Sequence, residues 1–84
     1  MDRVRIGASR VADGIDLIDV FREAGFESGL AASPGTWDVD VVGSLEDVAS
    51  ILLGWMTRNG RELMVAHVGE RTYLVAQPVA ALVA

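Results

Sequence analysis

The chain contains no cysteine and no lysine, a single histidine and only two prolines. Without cysteine there is no disulfide framework, no thiolate zinc site and no thiol redox motif. Without lysine there is no side-chain amine for Schiff-base chemistry, and all seven cationic side chains are arginine. One histidine does not supply a His-rich metal centre. Positive charge is scarce overall: seven basic residues against twelve acidic ones leave a net charge of −5. That is the wrong sign for a nucleic-acid or anionic-membrane surface. Long hydrophobic runs are missing too. The longest, Val48 to Met56, is broken by Ser50 and Gly54 and falls far short of the ~20 residues that span a bilayer. Residues 1–10 lack the apolar stretch of a secretory signal, so a cytoplasmic protein without membrane contact is expected.

What is present is a globular composition, 51% apolar and 23% charged, in 84 residues. A chain of this size buries only ~60% of the surface its unfolded form exposes, which allows one modest core. The expected organisation is a single domain over residues 1–78 followed by an apolar tail, 79–84.

Arg3 to Ala8 alternates polar and apolar residues, the period of a half-buried strand. A first helix follows, with Asp13 as its expected N-cap and Asp16 three residues on. Leu17, Ile18, Phe21 and Ala24 form its apolar stripe, and Gly25 is its stop. Glu27 to Ala32 reads as a strand diluted by Ser28 and Gly29, and Ser33-Pro34-Gly35 as a turn. In the next strand Trp37, Val39 and Val41 alternate with Asp38 and Asp40. A second helix starts at Ser44, with Asp47 completing a Ser-x-x-Asp box, and stops at Asn59-Gly60. Two apolar strands then flank Gly69-Glu70, a hairpin turn that sets Val68 opposite Arg71 and His67 opposite Thr72.

The order is β-α-β-β-α-β-β, and a weak internal echo accompanies it. At an offset of 35 residues Val4, Ile6, Leu17, Gly25 and Glu27 fall on Val39, Val41, Leu52, Gly60 and Glu62. Two βαβ halves build an α+β, ferredoxin-like split β-α-β sandwich, with an antiparallel sheet and two helices on one face. In it strands 1 and 3 are neighbours, so Arg3 and Arg5 are expected to meet Asp38 and Asp40 on the open face.

Motifs that carry chemistry are few. His67 has only Val65 and Gly69 at the flanking same-face positions of its own strand, with no carboxylate to orient it. Acids near both helix starts are accounted for by the helix dipole. Gly7-Ala8-Ser9-Arg10 runs from strand toward helix, where acylphosphatase-like hydrolases hold an anion, but the glycine-rich pattern is missing and Asp13 and Asp16 crowd the helix start. No catalytic residue, metal site or cofactor is expected.

Apolar surface is in surplus instead. On a helical wheel Val48, Leu52, Trp55 and their apolar neighbours, Leu53 among them, cover roughly 200°, about twice the stripe a surface helix needs. Strands 4 and 5 are apolar on both faces, although a sheet with helices on one side ordinarily has a polar outer face. Contiguous exposed apolar surface marks interaction sites. The expected interface comprises Met64, Tyr73 and Val75 with Leu53 of helix 2 and Val79, Leu82 and Val83 of the tail. Should the opposite face of strands 4 and 5 be outermost, Val65 and Leu74 take the place of Met64 and Tyr73.

From Val48 to Val75, the apolar helix with Trp55, the following Arg58 and the hairpin around Gly69-Glu70-Arg71 resemble the small actinobacterial effector-associated modules. These are encoded beside, or fused to, protease and NTPase effectors in bacterial conflict systems. The resemblance covers about a third of the chain, and the family's central region is longer than the one present here. It implies an adaptor without catalysis. Two function classes follow. The first is a non-enzymatic protein-protein interaction or oligomerisation module, binding itself or a partner protein. The second is a small-ligand regulatory domain or dimeric α+β barrel enzyme, similar to amino-acid-sensing domains and barrel oxygenases. It would hold a small molecule between the helices and strands 4 and 5, with Trp55, His67 and Tyr73 as ligand contacts.

Overall fold

The alternation at the start of the chain places Val4, Ile6 and Ala8 on one side of a strand and Arg3 and Arg5 on the other, and everything else is assembled around that strand. The computed structural model describes residues 2–77, for Ala32 and Ser33 the backbone alone. Its elements are β1 (Arg3–Ala8), α1 (Val11–Glu23), β2 (Glu27–Ser33), β3 (Thr36–Val42), α2 (Leu45–Asn59), β4 (Leu63–Val68) and β5 (Arg71–Ala76). The strands form one five-stranded sheet in the order β2-β3-β1-β4-β5, antiparallel at every junction. This is a small α+β fold.

The expected neighbourhood of β1 and β3 is observed, with Arg5 opposite Asp40 and Ile6 opposite Val39. The β4–β5 register also agrees with expectation: Val68 faces Arg71 and His67 faces Thr72. Both helices pack on one side of the sheet, where Leu17 and Phe21 of α1 and Val48, Leu52, Trp55 and Met56 of α2 form the core with Val4, Ile6, Val39, Val41, Met64 and Ala66. The internal echo has a physical counterpart in that core. Val4, Ile6 and Leu17, and their repeats Val39, Val41 and Leu52, are all completely buried.

The two helices start differently. Ser44 caps α2 as expected, its Oγ accepting from the Asp47 N–H at 3.2 Å. The expected cap of α1 is corrected: the helix begins at Val11, with Arg10 at the N-cap position and no side-chain cap bond. Asp13 and Asp16 lie inside the first two turns and are engaged by distant partners.

Both helices end on the glycines that the echo pairs. Gly25 and Gly60 adopt φ of 92° and 67°, a left-handed conformation that costs a residue with a Cβ ~1–2 kcal/mol. At the end of α1 the N–H groups of Gly25 and Phe26 donate to the carbonyls of Arg22 and Phe21. The Phe26 ring then meets Phe21 edge-on, with centroids 6.1 Å apart. Gly60→Ala is therefore expected to lower stability by ~1 kcal/mol, read as a lower urea midpoint at unchanged slope. No loss would mean that the helix end re-forms without the left-handed residue.

Candidate interaction surface

The face of the sheet away from the helices divides into a polar and an apolar half. Alternation and register place Glu27, Gly29 and Ala31 of β2, Asp38 and Asp40 of β3, Arg3, Arg5 and Gly7 of β1, Leu63, Val65 and His67 of β4 and Thr72, Leu74 and Ala76 of β5 on it. In the polar half Arg5 grips Asp40 with two hydrogen bonds, Nε to Oδ1 at 2.8 Å and Nη2 to Oδ2 at 3.3 Å. The bond and then the charge of Asp40 raise the Arg5 guanidinium above its usual value. A base raised in the folded state contributes fully below its unfolded value, which for a guanidinium lies far above neutral, so this pair is constant across the neutral range. Asp38 shares this face with Arg3, Arg5 and Asp40, as expected, although in register Arg3 stands opposite Val42 and Asp38 opposite Gly7. The Asp38 carboxylate accepts from Thr36 Oγ1 at 3.0 Å and its charge also acts on Arg5, and His67 Nδ1 lies 3.0 Å from Thr72 Oγ1.

The apolar half is formed by β4 and β5. Leu63 is 56% exposed and Leu74 67%, and the half-buried Val65 lies directly opposite Leu74. Met64 and Val75, expected on the outer face, are corrected: they are 8% and 7% exposed and belong to the helix-facing core. The cause is the β1–β4 register, which aligns Ile6 with Ala66 and Arg5 with His67. Met64 and Val75 thereby join the side of Ile6, and Val65 and Leu74 the side of Arg5. Tyr73, also expected on the outer face, is corrected in the same way: paired with Ala66, it shares the helix side, toward the sheet edge. With Leu45, Ala49 and Leu53 of α2 and Val75 it lines an apolar groove of about 260 Å³ between α2 and β5. Val79, Leu82 and Val83 lie outside the described residues.

The three expected ligand contacts are not brought together. Trp55 is buried between the helices, with its Nε1 donating to Asp16 Oδ2 at 2.6 Å. Tyr73 lines the groove beside α2, and His67 is on the opposite face of the sheet. A separate open depression near the start of α1 contains Ser9, Asp13, Arg61 and Asp38. Its Asp13 carboxylate is held at both oxygens by Arg61, at 3.0 and 3.2 Å. That bond raises the Arg61 guanidinium above its usual value. Among the described residues no group of three or more His, Cys, Asp or Glu side chains converges as a metal site, and no helix is long and apolar enough to cross a membrane.

Sequence reasoning missed Leu63 and the ends of the long-range bonds at Asp13 and Asp16. The signal for Leu63 was available: it shares parity with His67, the polar residue of β4, and His67 marks the outer face. Compared with protein-family models, curated proteins and solved structures, the chain has no match.

Proposed function

We propose that this chain is a small non-enzymatic interaction module that associates with itself through its β4–β5 side, on a ferredoxin-like split β-α-β scaffold. The strand order β2-β3-β1-β4, with β1-α1-β2 straddling β3, supports that scaffold name; β5 is an addition at the β4 edge. The observation that carries the functional reading is the apolar strip of Leu63, Val65 and Leu74, with both leucines exposed, on a sheet whose helices lie on the other face. Fully burying one leucine contributes ~1.5–3 kcal/mol, so two left in water are a cost that folding alone does not recover. The adaptor role implied by the resemblance of Val48 to Val75 belongs to the same proposal, with the helix-sheet groove as further contact area.

Sedimentation equilibrium of the full chain through the micromolar range tests the reading. A concentration-dependent dimer is expected, and Leu63→Glu combined with Leu74→Glu should shift it to monomer while the thermal melt stays cooperative. A wild-type chain that is monomeric at every concentration removes the self-association reading.

A further inference from the structure

Among the described residues strand β5 is an edge of the sheet, and one hydrogen bond establishes which way its backbone points. The Gln77 N–H donates to the Glu62 carbonyl at 3.3 Å, and inward- and outward-facing amides alternate along an antiparallel strand. With Val75 opposite Met64 and Tyr73 opposite Ala66, the amides of Arg71, Tyr73 and Val75 face β4. Those of Thr72, Leu74 and Ala76 face outward, with no strand beside them among the described residues.

Among the described residues nothing blunts this edge. It has no proline, glycine or bulge, and its one charge, Arg71, stands at its start. The opposite edge, β2, carries Glu27 and Gly29 and lies under α1. Of the six residues of β5 only Val75 is buried, so the strand returns little burial for the entropy of ordering it.

We propose that β5 pairs antiparallel with β5 of a second copy, about a two-fold axis midway between the two Leu74 residues, joining the two sheets into one. This rests on the self-association reading above and specifies its geometry. Because the outward amides belong to Thr72, Leu74 and Ala76 alone, these residues must pair with one another, which keeps the helices of both copies on the same side. Centring on Leu74 sets it against its own twin and Thr72 against Ala76 of the second copy, so all three outward positions are used. Centring on Tyr73 leaves Ala76 without a partner inside the strand. The same register sets Tyr73 against Val75 of the second copy on the helix side, an aromatic and β-branched pair.

Charge favours a second copy as the occupant. The register brings Arg71 opposite Gln77 of the second copy, and one strand beyond Gln77 stands Glu62 of that copy. Two strand spacings, ~10 Å between backbones, are bridged by extended arginine and glutamate side chains. Neither Arg71 nor Glu62 has a side-chain partner among the described residues. Within one chain they stand at opposite ends of the β4–β5 hairpin, ~20 Å apart by strand rise. The two-fold axis supplies each with a partner, twice.

Two variant sets, read by sedimentation equilibrium of the full chain, test the pairing. Thr72→Pro and Ala76→Pro each remove an outward N–H that no described residue accepts from, a substitution edge strands accept. Each should raise the dimer Kd ~10-fold or more with little change in the melt. Arg71→Glu and Glu62→Arg should each weaken the dimer several-fold. The double exchange should restore it, a rescue that can arise only between copies. A wild-type dimer indifferent to both proline variants, or charge variants without rescue, overturns edge pairing and leaves self-association through the outer face standing. A wild-type monomer overturns both, and the edge then belongs to another occupant.

Discussion

Replacing Trp55 with alanine should remove ~3–5 kcal/mol of stability, a large part of the ~5–15 kcal/mol that a native domain has. Trp55 is the largest fully buried side chain in the molecule. It stands in α2 where that helix faces α1 and the sheet, among Leu52, Met56, Leu17 and Phe21. Alanine leaves a void that two helices and a strand layer do not close without disturbing the remaining core. The indole also has a polar function. Its Nε1 donates to Asp16 Oδ2 at 2.6 Å, linking residues 39 positions apart in the chain. Asp16→Ala leaves the indole N–H buried and without an acceptor, which costs ~1–3 kcal/mol. Asp16→Asn retains an acceptor oxygen and should lie closer to wild type. Urea unfolding followed by circular dichroism ranks the variants: wild type, Asp16→Asn, Asp16→Ala, Trp55→Ala in falling order of midpoint. Equal midpoints for Asp16→Asn and Asp16→Ala would show that the hydrogen bond does not hold the helices.

That bond also shows where reading the chain locally runs out. Asp13 and Asp16 look like capping residues because they recur every three positions at a helix start, and the helix dipole welcomes acids there. The structure starts α1 at Val11 and gives both carboxylates to tertiary partners, Arg61 and Trp55. No periodicity encodes a partner 48 or 39 positions away. Where the signal is local, the elements are legible: Ser44 and Asp47 at the start of α2, the glycines at both helix ends, and the Gly69-Glu70 turn with its register. The β1–β3 pairing was legible for a different reason. Arg5 and Asp40 alternate with core residues on their own strands, so opposite charges and shared parity point to the same arrangement.

The candidate surface was legible as a surplus but not as a place. Strands β4 and β5 are apolar on both faces, and parity alone does not say which face meets the helices when both are greasy. Register with β1 decides it, through Ile6 against Ala66 and Arg5 against His67. Met64 and Val75 thus become core, while Leu63 and Leu74 stay in water. Gly7 of β1, standing between Asp38 and Val65, separates the carboxylates of β3 from the apolar strip of β4 and β5. Each half can therefore be altered without touching the other, which makes the association tests above selective.

Gly43→Ala should be the most damaging of the single-methyl additions, at ~1–3 kcal/mol. Gly43 joins β3 to the cap of α2, is buried, and donates its N–H to the Asp2 carbonyl at 2.8 Å. A Cβ at this position would stand 2.7 and 2.8 Å from two carbons of the Phe26 ring, closer than van der Waals contact allows. A ring edge does not bend aside as the end of a long side chain does. Phe26 is also fixed by its edge-on contact with Phe21 and by the backbone bond that closes α1. The added methyl must therefore displace either the end of α1 or the start of α2. Two comparisons isolate this cause. Gly29→Ala, on the outer face with nothing within 4 Å of the new Cβ, should be neutral or stabilising, because it reduces the entropy of the unfolded chain. Phe26→Leu should make Gly43→Ala cheaper than the sum of the two single changes, the coupling expected of side chains competing for one space. If Gly43→Ala melts with the wild type, or if the two changes simply add, the contact between Gly43 and Phe26 is not what holds the two helix ends together.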